Sequence, residues 1–263
     1  MNCLADIPYD EWEGLIRLAF TAVLLAIVLV LSYMKRIGIG KDAALSSARG
    51  FAQLMILAII FTYIFDSPDW LLYTWILFIA MCILAGYTSA RRAKQIPKAW
   101  QITTPSIVIG TSITLIIMLL TEIMISRPEF IIPLAGMAFG NTMNLCSLCL
   151  NRIIGEVKNN RARIEAALAL GATSDQAIDP YIQTSVKAAM IPSIDSIKTL
   201  GVIFIPGAMA GLLMAGTEPL VAAEYQIAVF FMIFSAGIIT AITVSSLARK
   251  RLFTEAHQLK FIG

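Results

Sequence analysis

Residues Asn151–Lys198, NRIIGEVKNNRARIEAALALGATSDQAIDPYIQTSVKAAMIPSIDSIK, form the longest polar interval in a chain that is otherwise mostly apolar. Apolar segments long enough to cross a bilayer precede it, and two more follow. The flanking segments carry dense Gly, Pro and Asn punctuation, IPLAGMAFGNTMN before and TLGVIFIPGAMAG after. A large soluble loop held between two irregular membrane helices suggests a device that takes force from a soluble partner.

Composition supports a membrane setting. Of 263 residues 58% are hydrophobic and 14% charged, whereas soluble domains average about 25% charged. The expectation is an all-α polytopic membrane protein, a single permease-like domain over 1–263 with a cytoplasmic loop at 151–198. The basic residues lie beside apolar spans rather than on an aromatic-studded surface, which argues against nucleic-acid binding. Cys3, Cys82, Cys146 and Cys149 are too few and scattered for a disulfide framework. The N-terminal MNCLADIPYDEWEG lacks the basic region of a signal peptide, so the first span is expected to stay as an anchor.

A helix needs about 20 apolar residues to cross the hydrocarbon core. Seven stretches qualify: Leu15–Tyr33, Ala43–Phe65, Trp70–Tyr87, Thr104–Ile125, Phe130–Leu150, Thr199–Ala215 and Tyr225–Leu247. Their connections alternate in charge. Lys35, Arg36 and Lys41 follow the first span; Arg91, Arg92, Lys94 and Lys98 follow the third. The long loop and the tail are basic too, the tail with Arg249, Lys250, Arg251 and Lys260. The other connections, and an N-terminal tail with Asp6, Asp10, Glu11 and Glu13, are acidic or nearly neutral. The positive-inside rule then puts the N-terminus outside and the C-terminus in the cytoplasm.

Several residues inside or beside the spans invite a functional reading. Arg17 and Arg49 either snorkel to the headgroups or, for Arg49 with Gln53 one turn on, line a polar pathway or meet a carboxylate such as Asp195. In the fifth span Pro133 stands near the start, and Gly136-x-x-x-Gly140 offers a close-approach surface for another helix. Asn141 and Asn144 share a face, and membrane asparagines generally look into protein or a cavity. Cys146-x-x-Cys149 reads as either a metal or redox pair or small packing material, and no third Cys or His is close; the single histidine is His257. Just before the sixth span Asp195 and Lys198 can pair along a helix face near the cytoplasmic interface. Pro206-Gly207 then predicts a kink or break, and Gly211 completes a second small-residue pair. The break is either plain packing or a hinge beside a substrate route. Met137, Met143, Met209 and Met214 supply thioethers that suit soft metals, although packing or lipid contact is the plainer reading.

Within the loop, Val157–Leu170 reads as an amphipathic helix ended by Gly171. Ala172-Thr173-Ser174 forms the turn, and Asp175 is a candidate cap for a second helix that Pro180 would disturb. Residues Glu165-Ala166-Ala167-x-x-x-Gly171 resemble the E-A-A-x-x-x-G coupling motif of ABC-transporter permeases, in which a short cytoplasmic helix docks on the ATP-hydrolysing subunit. The resemblance implies a coupling role for Arg163, Glu165, Ala166, Ala167, Gly171, Ala172 and Thr173. The proline usual some thirteen residues after the glycine is replaced by Thr184, a departure from the classical importers. IPLAGMAFGN, ALGAT, IPSIDSIKTLG, PGAMAGLLMAG and EPLVAAEYQI, in that order, resemble the FetB-like permeases, a family of bacterial iron-efflux and plant aluminium-tolerance permeases. That likeness runs from about Ile132 to Ile227 and implies a plasma-membrane homodimer working with a separate ATPase that holds ATP and Mg.

The sequence holds no P-loop, so ATP hydrolysis is expected in a partner subunit. The nearest P-loop lookalike, Gly38-Ile39-Gly40-Lys41-Asp42, lacks the first glycine and the hydroxyl after the lysine. The expected function is therefore the permease subunit of an ABC transporter, itself not an enzyme, exporting iron or another metal ion. Two alternatives stand beside it: an ATP-independent secondary transporter or channel, and an ABC permease for a nucleotide sugar.

Overall fold

The computed structural model describes residues 11–36, 38, 40–93, 95–96, 98–254 and 258–259. Lys94, His257, Lys260, Cys3 and the acidic residues before Glu11 lie outside them, as do the side chains of Glu11, Glu13 and Arg17. The described residues are almost wholly helical, with isolated bridges at Leu200–Phe204 and Phe253–Leu259. The helices are α1 (Glu11–Met34), α2 (Gly40–Phe65), α3 (Trp70–Arg92), α4 (Trp100–Leu120) and α5 (Pro128–Asn159). After them come α6 (Arg161–Ala169), α7 (Ser174–Lys198), α8 (Gly207–Met214) and α9 (Pro219–Leu252). Helices α1 and α2, with Trp70 and residues 214–216, belong to one compact unit, and the rest of α3 to α9 makes up the other.

The all-helical membrane architecture expected from hydropathy is what the chain adopts. Helices α2, α3, α4, α5 and α9 are each long and apolar enough to cross a membrane, and α1 adds the apolar stretch Leu18–Met34. In the first unit, α2 leaves most of its apolar surface exposed. In the second, α4, α5, α7 and α9 bury a shared core that includes Ile107, Phe139, Leu150, Ile178 and Val244.

The close approaches in this core are made by glycines that the small-residue patterns did not single out. A Cβ on Gly110 would lie 2.1 Å from Thr240 Oγ1 and 2.7 Å from the Ala236 carbonyl oxygen, so α4 and α9 meet backbone to backbone. A Cβ on Gly86 would lie 2.9 Å from the Thr104 Cα, which brings α3 equally close to α4. By contrast Gly140, Gly207 and Gly211 meet no atom within 4 Å, and Gly136 only the tip of Met81. The surfaces offered by Gly136, Gly140, Gly207 and Gly211 are thus not closely packed against another helix of the same chain among the described residues.

Three further boundaries differ from the sequence reading. Helix α5 starts at Pro128, which needs no N–H at that position, so Pro133 lies inside it. The expected Val157–Leu170 helix is two helices, because α5 runs on to Asn159 and Asn160 interrupts it, its amide donating back to the Glu156 carbonyl at 3.0 Å. The sixth span is not one helix. Residues 199–206 are non-helical, and the eight-residue α8 rises only about 12 Å, short of a membrane crossing. The break predicted at Pro206-Gly207 is real and begins earlier, after Lys198.

Candidate functional site: an exposed helical elbow and a polar cavity

The motif residues sit on an elbow. Helix α6 buries Ile164 against its neighbours and leaves Arg163, Glu165 and Ala166 exposed. Glu165 accepts a 2.7 Å bond from Arg161 Nε, a pairing of exposed groups that contributes little to stability. After Leu170, Gly171 adopts φ +92°, a left-handed conformation that costs a residue with Cβ but not glycine. Its N–H donates to Leu168 O and that of Ala172 to Ala167 O, both at 3.0 Å, which closes a Schellman motif. At the tip Leu170 is 90% exposed, a large apolar side chain presented to whatever docks there.

Helix α7 starts with a capping box rather than with Asp175. Thr173 Oγ1 accepts from Gln176 N, and Gln176 Oε1 accepts from Thr173 N at 3.0 Å. The helix then passes through both Pro180 and Pro192. Ile178, Ile182, Ser185 and Ala189, spaced at helical intervals, are buried on one side, and this packing offsets the lost backbone bonds. Asp175 and Asp179 are both gripped by Arg249 from the last turn of α9, the former at 3.3 Å.

The second half of the expected soluble loop runs beside the membrane part of α5. Ala189, Pro192, Ser193, Ser196 and Ile197 of α7 line one cavity of about 450 Å³ together with Met137, Asn141, Asn144 and Leu148 of α5. Those α5 residues fall inside the charge-free run 130–150. Pro206 and Gly207 at the start of α8 and Gln226, Phe230 and Phe234 of α9 complete the wall. Gln226 is 4% exposed, and its Oε1 accepts a 3.0 Å bond from Met209 N, which supplies a partner for one of the orphan donors that open α8.

The sequence-predicted pathway residues divide between places. Asn141 and Asn144 do share the cavity wall: Asn141 Nδ2 donates to Met137 O at 2.8 Å, and Asn144 Oδ1 accepts from Arg92 of α3 at 2.7 Å. Asp195 and Lys198 pair with each other at 3.1 Å on the exposed side of α7, turned away from the cavity-lining residues. Arg49 and Gln53 lie one turn apart on the exposed surface of α2, in the first unit. Cys146 and Cys149 are fully buried in the core of the second unit. Among the described residues no three His, Cys, Asp or Glu side chains gather as a metal would require.

Sequence reasoning passed over Gln226 and Arg249. Gln226 is the lone carboxamide in the apolar run of α9, the same signal that drew notice to Asn141, but it stands at the edge of the span. Arg249 was counted only as topology charge, because its two carboxylate partners are 70 and 74 residues away in sequence.

Among the described residues, five helices long and apolar enough to cross a membrane, together with the apolar stretch Leu18–Met34, define a multi-pass membrane protein. Residues 15–253 match the family model described as an uncharacterised protein family, UPF0014. The chain belongs to that family. It is 32% identical over 257 residues to "Protein ALUMINUM SENSITIVE 3" of Arabidopsis thaliana, covering 95% of this chain and 93% of that protein. To "Probable iron export permease protein FetB" of Escherichia coli it is 34% identical over 242 residues, covering 92% and 93%. To "UPF0014 membrane protein STAR2" of Oryza sativa it is 34% identical over 248 residues, covering 94% and 86%. No solved structure matches the chain. The resemblance read from the sequence motifs is thus borne out over nearly the whole length rather than only the C-terminal half.

Proposed function

We propose that this chain is the membrane-spanning subunit of an ABC transporter, exporting iron or another metal ion from the cytoplasm across the plasma membrane. Two copies would work with a separate ATPase that binds ATP and Mg. The observation that carries the reading is the α6–Gly171–α7 elbow: a short helix with Arg163, Glu165 and Ala166 exposed, an apolar tip at Leu170, and a hydrogen-bonded glycine turn into a long helix. The name of the Escherichia coli relative supplies the cargo class.

In this account closure of the ATPase dimer pushes on α6. Gly171 and the capped start of α7 pass the displacement along α7 without flexing, since both ends of the turn are hydrogen-bonded. Helix α7 walls the cavity with its second half, so a shift there changes the cavity against Gln226 and the start of α8. The positive-inside pattern orients the elbow toward the cytoplasm.

Substituting Glu165→Ala and Gly171→Leu together tests the coupling. The expected result is a complex that still hydrolyses ATP when the ATPase is supplied but no longer moves metal in proportion. Unchanged metal export per ATP hydrolysed contradicts the role given to the elbow.

A further inference from the structure

We infer that the outward face of α7 bearing Ile191, Asp195 and Lys198 is the surface on which a second copy of this chain docks, with Asp195 and Lys198 of the two copies forming one ring of alternating charge. This deepens the two-copy permease reading and rests on it.

Depth is the first argument. The inner side of this part of α7 shares the cavity with Met137, Asn141 and Asn144, all in the charge-free run 130–150 of α5. A run of 21 residues rises about 31 Å, the thickness of a hydrocarbon core. Asp195 and Lys198 are therefore at hydrocarbon level, yet their side chains are 58% and 69% exposed on the single chain. A charge facing lipid near the bilayer centre costs about 2.5–3.5 kcal/mol on insertion scales, and such residues face protein or water instead.

Charge complementarity selects the occupant. Two-fold symmetry brings a surface against itself, so an interface between copies must be self-complementary. One Asp and one Lys three residues apart meet that condition: two copies supply two of each sign around the axis. A surface of a single sign would not.

The test uses two differently tagged forms of the full chain, co-expressed, captured in mild detergent through one tag and read through the other, with the ATPase present. Wild-type copies capture each other. Asp195→Lys alone and Lys198→Asp alone each place four like charges around the axis, and capture falls about tenfold. Co-expressing the two variants pairs an all-Lys copy with an all-Asp copy and restores capture. A pairing confined to one chain cannot restore it, because each variant has lost its own partner. The near-isosteric Asp195→Asn/Lys198→Gln variant removes the charges with less burden on the fold and also lowers capture. Undiminished capture in the single or neutral variants, or no recovery in the mixture, overturns the inference. Loss of the ATPase from wild-type captures would instead overturn the permease reading, while leaving the copy-to-copy result standing.

Discussion

At the scale of single residues the fold depends on a few places where nothing larger fits. Gly110→Ala pushes a methyl group into the α4–α9 contact, where one obstacle is the Ala236 carbonyl and cannot rotate away. The expected loss is about 1–3 kcal/mol, seen as a lower unfolding midpoint in detergent. Gly155→Ala on α5, with open space around it, is the control and is expected to be neutral or stabilising by up to about 1 kcal/mol. Gln226→Leu keeps the bulk but leaves the Met209 N–H without its partner, a loss of about 1–3 kcal/mol. Transport is expected to fall in that variant while ATPase capture through the elbow persists; equal transport would remove Gln226 from the pathway.

At the scale of elements, the connection between α7 and α9 is the part most exposed to a mechanical test. Arg249 reaches both Asp175 and Asp179, one turn apart, and Arg251 beside it donates to Gln101 at the start of α4. The Arg249 side chain is only 29% exposed, whereas Asp175 is 70% exposed, so solvent discounts the pair. Arg249→Ala is expected to cost about 1 kcal/mol of stability. Its larger effect is expected on the ratio of metal exported to ATP hydrolysed, and Arg249→Lys restores little because an ammonium cannot fork across two carboxylates. An unchanged ratio would make the contact a mere surface pair.

The same scale shows what the sequence could reveal. Apolar run length marked the long helices because the hydrocarbon core imposes one length on every span, and Gly171 was legible because a left-handed helix end favours glycine. Helix α7 was not legible: Pro180 and Pro192 oppose it locally, and only burial of Ile178, Ile182 and Ala189 against other elements overrides them. Asp195 reads from the sequence as lying near the cytoplasmic interface, since a charged stretch looks soluble until its register against α5 is known. The close contacts at Gly86 and Gly110 lack the four-residue spacing that the eye seeks, and depend on which helix happens to lie opposite.

At the scale of the whole molecule, charge asymmetry predicts the orientation. A reporter fused after Gly263 is expected to be active in the cytoplasm and silent outside; the reverse result would invert every connection. The central claim is that an external ATPase drives this chain through α6 to move metal. The most direct measurement is to purify the chain alone and with a candidate ABC ATPase, reconstitute both in lipid discs, and record ATP hydrolysis with and without ferrous or ferric iron. The account predicts that the ATPase stays bound and that iron raises its hydrolysis rate. Failure of the two proteins to associate would contradict it, and so would hydrolysis that ignores both iron and the presence of this chain.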